Sequence, residues 1–305
     1  MHNGSKSRKP AEGFHSAWII DGGGGGSFGA AVHLFPWWSF TKTVLAVCAL
    51  RLVEESRLEL DAIRPGKPYS LRHLLQHRSG VPDYGALKSY QDAVAKKDTP
   101  WPRERLLRAA NADQLLFQPG TGWAYSNIGY MFVADAITAV TGLSLAKSLE
   151  TLVLAPLSAT SARLATEVAD FQMVLWPEAR TYDPRWVYHG CLIGTPFDAV
   201  RILHALLSGQ ILRPKTLEAM TERHELGGAL PKRPWTLCGY GLGLMSGEMA
   251  GIGRAIGHSG VGPACVNAVY HFPDANRATT VAVFAAGNDE GPAEFEAVAI
   301  ARPVD

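Results

Sequence analysis

The sequence predicts an α+β fold: an antiparallel β-sheet flanked by helices, built from both chain ends, with a mostly helical subdomain inserted between them. Two observations carry this. A short strand-like run stands near the start (17–20), and runs rich in Val, Tyr and small residues stand near the end (240–245, 265–272 and 279–285), as antiparallel strands do. The stretch between them reads as helices and loops, so the strands of the two ends must meet in one sheet. The expected division is a sheet domain from 14–60 plus 240–305, a helical insertion over 61–239, and a flexible N-terminus over 1–13.

With 305 residues, 47% hydrophobic and 19% charged, the chain is long enough for one large domain or two interlocked ones and is not of disordered composition. The net charge of +1 provides no field for nucleic acid or an anionic membrane. Cys48, Cys191, Cys238 and Cys265 are scattered, with no C-x-x-C pair to suggest a zinc or redox motif. Residues 1–14 are polar and basic with no apolar run after them, and no stretch is long enough to span a bilayer. The expectation is a cytoplasmic protein with reduced thiols.

Along the chain, residues 17–20 form a strand. The turn 21–27 holds five consecutive glycines, and 30–35 forms a second strand, giving a hairpin. Gly24, Gly26 and Gly29 match G-x-G-x-x-G, but residues 30–36 are poor helix material, so no dinucleotide site is expected. A helix from Ser39 to about Ser56 is apolar nearly all round, as a buried helix is. Ser70 caps a short helix expected to end near Gly80. On it His73 and His77 stand at i, i+4, but no third ligand is evident, so no metal is expected. Trp101-Pro102 opens another helix. Residues 118–127 form a loop forced by proline and glycine, and an amphipathic helix over 128–140 is closed by Gly142. The span 143–189 has no clear period but is dense in Trp176, Tyr182, Trp186 and Tyr188, candidates for a cleft wall. Thr195-Pro196 starts a helix that Gly209 ends, and Pro292 opens a closing helix.

One stretch carries chemistry. Ser39-Phe40-Thr41-Lys42 sits where a strand-like run gives way to a helix. Serine and lysine three apart share a helical face, with Cβ atoms about 5–6 Å apart. A neutral lysine can take the serine proton, and the helix N-terminus offers free N–H groups to a developing oxyanion. Alone, the pair reads equally as a helix cap and a solvated lysine.

Three further features stand in order after it: Leu74-Leu75-Gln76-His77-Arg78-Ser79-Gly80-Val81-Pro82, Tyr125-x-Asn127 and His258-Ser259-Gly260. Together they resemble the serine β-lactamase/penicillin-binding-protein superfamily, in the branch of class C β-lactamases, DD-peptidases and β-lactamase-like esterases. The similarity runs from about residue 17 to 290. It takes in Gln118-Pro119-Gly120-Thr121, Gly194-Thr195-Pro196-Phe197-Asp198 and Tyr240-Gly241-Leu242-Gly243.

The resemblance implies a β-lactamase/transpeptidase-like fold and a role for each motif residue. Ser39 is the acylated nucleophile and Lys42 its base or electrostatic partner. Tyr125 shares the proton transfer, with its phenolate favoured by nearby positive charge. Asn127 hydrogen-bonds the substrate and Lys42. His258, Ser259 and Gly260 bind substrate, and the Ser39 and Val261 amides form the oxyanion hole. The third motif holds a histidine where β-lactamases use lysine to hold a carboxylate, which argues against efficient β-lactam hydrolysis.

The expected function is an ester hydrolase working through an acyl-enzyme, with a small-molecule ester or amide as substrate and no cofactor. A D-amino-acid amidase, DD-peptidase or weak β-lactamase is the alternative, and a non-catalytic ligand-binding relative is a further one.

Overall fold

Strand β1 (Phe14–Ile20) turns through the glycine run into β2 (Gly25–Phe28), and β3 (Phe35–Pro36) leads into helix α1 (Phe40–Glu54). The structure, a computed structural model, describes residues 13–64 and 66–302. Nearly all of the segment 1–13 expected to be flexible therefore lies outside the described residues.

The helical middle holds α2 (Leu71–Leu75), α3 (Lys88–Ala95), α4 (Arg103–Ala109), α5 (Asn127–Thr141), α6 (Leu145–Leu149) and α7 (Val168–Phe171). It also holds β4 (Arg163–Ala165), β5 (Cys191–Gly194), α8 (Pro196–Leu207) and α9 (Pro214–Thr221). The chain then runs through β6 (His224–Gly227), β7 (Trp235–Tyr240), β8 (Met245–Met249), β9 (Gly253–Gly262), β10 (Cys265–Phe272) and β11 (Thr279–Ala286) to α10 (Gly291–Ala301).

Among the described residues the main sheet has eight antiparallel strands in the order β2-β1-β11-β10-β9-β8-β7-β6; β3, β5 and β4 form a second, smaller sheet. Both chain ends meet where β1 pairs β11, with Ala17 opposite Ala282. Because side chains alternate along a strand, β11 splits its residues between two cores. Val281, Val283 and Ala285 join Ala293, Ala297 and Val298 of α10 on one face. Ala282 and Phe284 join Leu203 of α8 and the buried residues of α1 on the other. The fold class is as the sequence implies.

Several details differ. The second hairpin strand begins inside the glycine run and ends at Phe28, not at 30–35. Gly26 passes under the Trp18 indole, where an added Cβ would stand 2.4 Å from the ring, so only glycine allows that strand to pair. Residues 240–245 are not one strand: Tyr240 ends β7, Met245 begins β8, and 241–244 connect them. The sheet takes in β6 and β7, so its second segment starts at His224, inside the span expected to be helical. Helix α2 stops at Leu75, well before Gly80. The predicted caps at Ser70, Gly142 and Thr195 are all in place. Among the described residues no single helix is long and apolar enough to cross a membrane.

Candidate active site

Helix α1 is buried over nearly its whole length, Lys42 included. Its hydrophobic flanks, Val44 to Leu50, place it under the sheet face, and Thr43 Oγ1 donates to the Gly243 carbonyl at 2.7 Å. The residue before the serine, Trp38, has φ +40°, a conformation that costs a non-glycine residue about 1–3 kcal/mol. It is held there from several sides. Its indole N–H points at Cys265 Sγ (3.3 Å), its ring meets Tyr182 edge-on, and it lies against Gly262, where a Cβ would stand 2.4 Å from the ring.

Ser39 is the N-cap of α1 but makes no side-chain capping bond. Its hydroxyl is spent elsewhere: Lys42 Nζ lies 3.1 Å from Oγ, and the Tyr125 hydroxyl donates to it at 2.9 Å. The cap-and-solvated-lysine interpretation therefore does not describe this pair. The amides of Phe40, Thr41 and Lys42 bond to the carbonyls of Trp37, Trp38 and Ser39. The Ser39 amide has no acceptor among the described residues.

Lys42 is fully buried and, among the described residues, has no carboxylate in hydrogen-bonding contact. Desolvation pulls it down to about 7, against smaller opposing pulls from Asp83 and Cys191. Its second polar partner is His189, whose Nε2 lies 3.0 Å from Nζ. Around the amine stand the rings of Tyr125 and Tyr130, 5.0 and 5.7 Å to their centroids. Burial keeps His77, His189 and His258 far below the usual imidazole range, with Lys42 adding to the effect.

Tyr125 differs from expectation. Burial pushes it well up, the hydrogen bond to Ser39 opposes this only in part, and the Asp83 and Glu290 carboxylates push it further up. Burial thus favours the phenol over the phenolate.

Asn127 also differs. It opens α5, its amide and side chain both donating to the Asp83 carboxylate (2.7 and 3.2 Å), and it makes no hydrogen bond to Lys42. It remains on the cleft wall.

The three residues of the third motif divide by the alternation of β9. His258 and Gly260 face the helix side. Ser259 faces α10, where its hydroxyl bonds Tyr270 (2.7 Å) and Glu294 (2.5 Å). Glu294 also takes the Trp235 indole N–H at 3.1 Å and pairs with Arg233. His258 Nδ1 faces the Ser259 carbonyl and must carry the proton, so Nε2 accepts from the Tyr240 hydroxyl at 2.8 Å. The imidazole is neutral, pulled down to about 3 by burial.

Gly260 passes so close to the serine that a Cβ would stand 2.8 Å from the Ser39 amide nitrogen. Strand β8 pairs with β9 only up to Gly257, which leaves the edge of His258 to Gly262 open. The β9–β10 hairpin closes at Gly262–Cys265. The alternating ladder then turns the Val261 amide towards the open edge.

Ser39, Tyr125, Asn127, His258, Ser259 and Val261 thus line one cleft of about 1360 Å³, with Lys42 Nζ behind Ser39 Oγ and Gly260 against the Ser39 amide. Tyr84, Tyr90, Trp123, Tyr182 and Leu226 also line it. Of the expected aromatic wall only Tyr182 is present. Trp186 is buried against Tyr90 and Trp101, Trp176 packs on His15 and Phe35, and the Tyr188 hydroxyl donates to the Trp101 carbonyl.

Sequence reasoning missed three central residues: His189, Tyr240 and His77. His77 lies outside α2 at φ +59°, so it shares no helix face with His73. Its Nδ1 accepts the Ser126 amide (3.0 Å) and its ring stacks on Tyr125 at 4.2 Å. Among the described residues no group of three or more His, Cys, Asp or Glu side chains forms a metal site.

Comparison with known proteins agrees with this fold. Over 143 residues the chain is 31% identical to penicillin-binding protein 4* of Bacillus subtilis, covering 43% of this chain and 30% of that protein. Over 266 residues it is 29% identical to esterase EstB of Burkholderia gladioli, covering 70% of this chain and 66% of that one. The matches thus span less than two thirds of each relative's length. The fold superposes on that of a D-stereospecific amidohydrolase from a Streptomyces species, with TM-score 0.76, 23% identity and 93% of each chain covered. The family model described as Beta-lactamase matches residues 30–302, and the chain belongs to that family.

Proposed function

We propose that this chain is a serine hydrolase that cleaves carboxylic esters through an acyl-enzyme on Ser39. The observation that carries it is the position of Ser39 Oγ between Lys42 Nζ and the Tyr125 hydroxyl. A lysine near 7 is in substantial part free amine at neutral pH and accepts the serine proton as Oγ bonds to the acyl carbon. The carbonyl electron pair moves to oxygen, which meets the Ser39 and Val261 amides. Tyr125, a phenol by burial, points its O–H at Ser39 Oγ, beside the place the leaving oxygen takes. It gives a proton to the departing alcohol and is restored from the Lys42 ammonium. Water then hydrolyses the acyl-enzyme.

The cleft's charges bear on the substrate. Asp83, Glu178, Glu225 and Glu290 line it, against Lys97 and Arg233. Arg233 is already paired with Glu294, and His258 is neutral. No free buried cation awaits a substrate carboxylate among the described residues. This weighs against β-lactams and against peptides presenting a C-terminal carboxylate. An uncharged acyl group fits the aromatic lining, and the esterase relative covers the larger share of this chain. A second reading, a D-amino-acid amidase, is favoured by one feature: Asp83 and Glu290 are carboxylates that can face a substrate ammonium group.

The test is a panel of p-nitrophenyl esters, D-amino-acid amides and a penicillin, with wild type and Ser39→Ala. Ester turnover lost in Ser39→Ala supports the proposal. Amide turnover exceeding ester turnover moves it to the second reading, and a serine-independent rate overturns it.

A further inference from the structure

Among the described residues the buried amine of Lys42 has two polar neighbours within hydrogen-bonding distance, Ser39 Oγ and His189 Nε2. A neutral amine carries two N–H groups and one lone pair; an ammonium has donors only. For Lys42 to take the serine proton, its lone pair must face Ser39, so an N–H must be directed elsewhere. We infer that His189 is the positioning residue for Lys42: its Nε2 accepts a lysine N–H and turns the amine's lone pair onto the Ser39 hydroxyl. The inference rests on reading Ser39 as nucleophile and Lys42 as its base.

The tautomer of His189 decides whether this works. With the proton on Nε2, the imidazole would donate to the lysine lone pair and occupy it. With the proton on Nδ1, Nε2 is free to accept. Nδ1 is buried and has no partner among the described residues, so it is unpaired in either tautomer, and the contact with Lys42 is what selects between them. During the reaction the Ser39 O–H bond breaks, a Lys42 N–H bond forms and the new ammonium donates to Nε2. That bond becomes charge-assisted and strengthens as the charge appears. His189 thus favours the transition state over the resting state.

A neutral acceptor suits this position better than a carboxylate. A carboxylate would hold Lys42 as an ammonium and leave it no lone pair. Protonated histidine is disfavoured here by burial and by the lysine itself. The other groups facing the amine are the Tyr125 and Tyr130 rings, with His77, His258, Asp83 and Cys191 acting at longer range. Asn127 does not compete for the place, because Asp83 holds it at the start of α5.

The backbone fixes His189 from both sides. The Tyr188 amide donates to the Tyr84 hydroxyl at 3.3 Å. Gly190, at φ +90°, makes the turn into β5 with its amide on the Val187 carbonyl (2.7 Å).

The experiment compares His189→Leu, His189→Gln and His189→Asp with wild type, Ser39→Ala and Lys42→Ala. Each is assayed with a p-nitrophenyl ester from pH 5 to 10, with circular dichroism to check folding. Leucine removes the acceptor and should lower kcat by about 10²-fold with little change in KM, within the range of a lost proton-transfer arrangement. Glutamine keeps an acceptor oxygen and should stay within about tenfold of wild type, with the acidic limb of the profile in place. Aspartate should move that limb up by about one pH unit or more, with activity returning at high pH.

If His189→Leu retains wild-type kcat while Ser39→Ala and Lys42→Ala are inactive, the inference fails and the reading of the site stands. If Ser39→Ala or Lys42→Ala keeps wild-type turnover, the reading itself fails. Should His189→Leu not fold, the other two variants decide. Equal losses in glutamine and aspartate, with unshifted limbs, mark a merely structural histidine and overturn the inference.

Discussion

Lys42→Met replaces the buried amine by a side chain of similar length with no charge. The wild-type lysine moves from an ordinary value of 10.5 in the unfolded chain to about 7 in the folded one. The unfolded chain therefore binds more protons between these values, and stability rises with pH through that window. At pH 7 the shift costs the folded state ~4 kcal/mol, at about 1.4 kcal/mol per pH unit. At pH 9 the cost has fallen to ~2 kcal/mol by the same relation. Lys42→Met lacks this dependence. It should be more stable than wild type at pH 7, and its advantage should shrink by ~2 kcal/mol at pH 9. His77, His189 and His258 are neutral in the folded state and nearly so in the unfolded chain over this range, so they drop out of the difference. Urea unfolding of both proteins at pH 7, 8 and 9 measures it. An advantage that stays constant with pH would refute the idea of a desolvated, unpaired lysine.

Gly260→Ala puts a Cβ 2.8 Å from the Ser39 amide; it should fold at a cost of about 1–3 kcal/mol, as overpacking does, and esterase assay should find kcat/KM reduced by about 10²-fold or more. The buried histidines lie below the usual imidazole value, so the unfolded chain takes up more protons below pH 6.5. Urea midpoints should fall between pH 6.5 and 5.5, by up to about 1.4 kcal/mol per histidine. Tyr182→Ala should alter acyl chain-length preference in a p-nitrophenyl ester series. Trp186→Ala, in the core, should lower stability by about 3–5 kcal/mol in thermal unfolding without altering that preference.

What the sequence revealed was what is locally encoded. The Ser39/Lys42 pair was legible because helical spacing alone brings three-apart residues together. Ser70, Gly142 and Thr195-Pro196 were legible because caps have their own chemistry. His189 meets Lys42 across 147 positions, from a stretch without period, and nothing in its neighbours marks it apart from the glycine after it. His77 and Tyr240 stood inside motifs carrying the resemblance but had no role there, since their partners appear only when β7, β9 and the loop before α5 come together. Ser259 lines the cleft, but the alternation of β9 turns its hydroxyl to Tyr270 and Glu294, partners that lie far along the chain and leave no local mark. The glycine run deceived because glycine usually signals a turn, whereas here part of it is a strand made to fit under Trp18.

The most direct test of the account is intact-mass spectrometry after treatment with a fluorophosphonate, for wild type and Ser39→Ala, with peptide mapping of the adduct. One phosphonyl adduct per wild-type chain, mapped to Ser39, is the expected result, with none on Ser39→Ala. Labelling of Ser39→Ala equal to wild type, or an unlabelled wild type that still turns over ester, would contradict it.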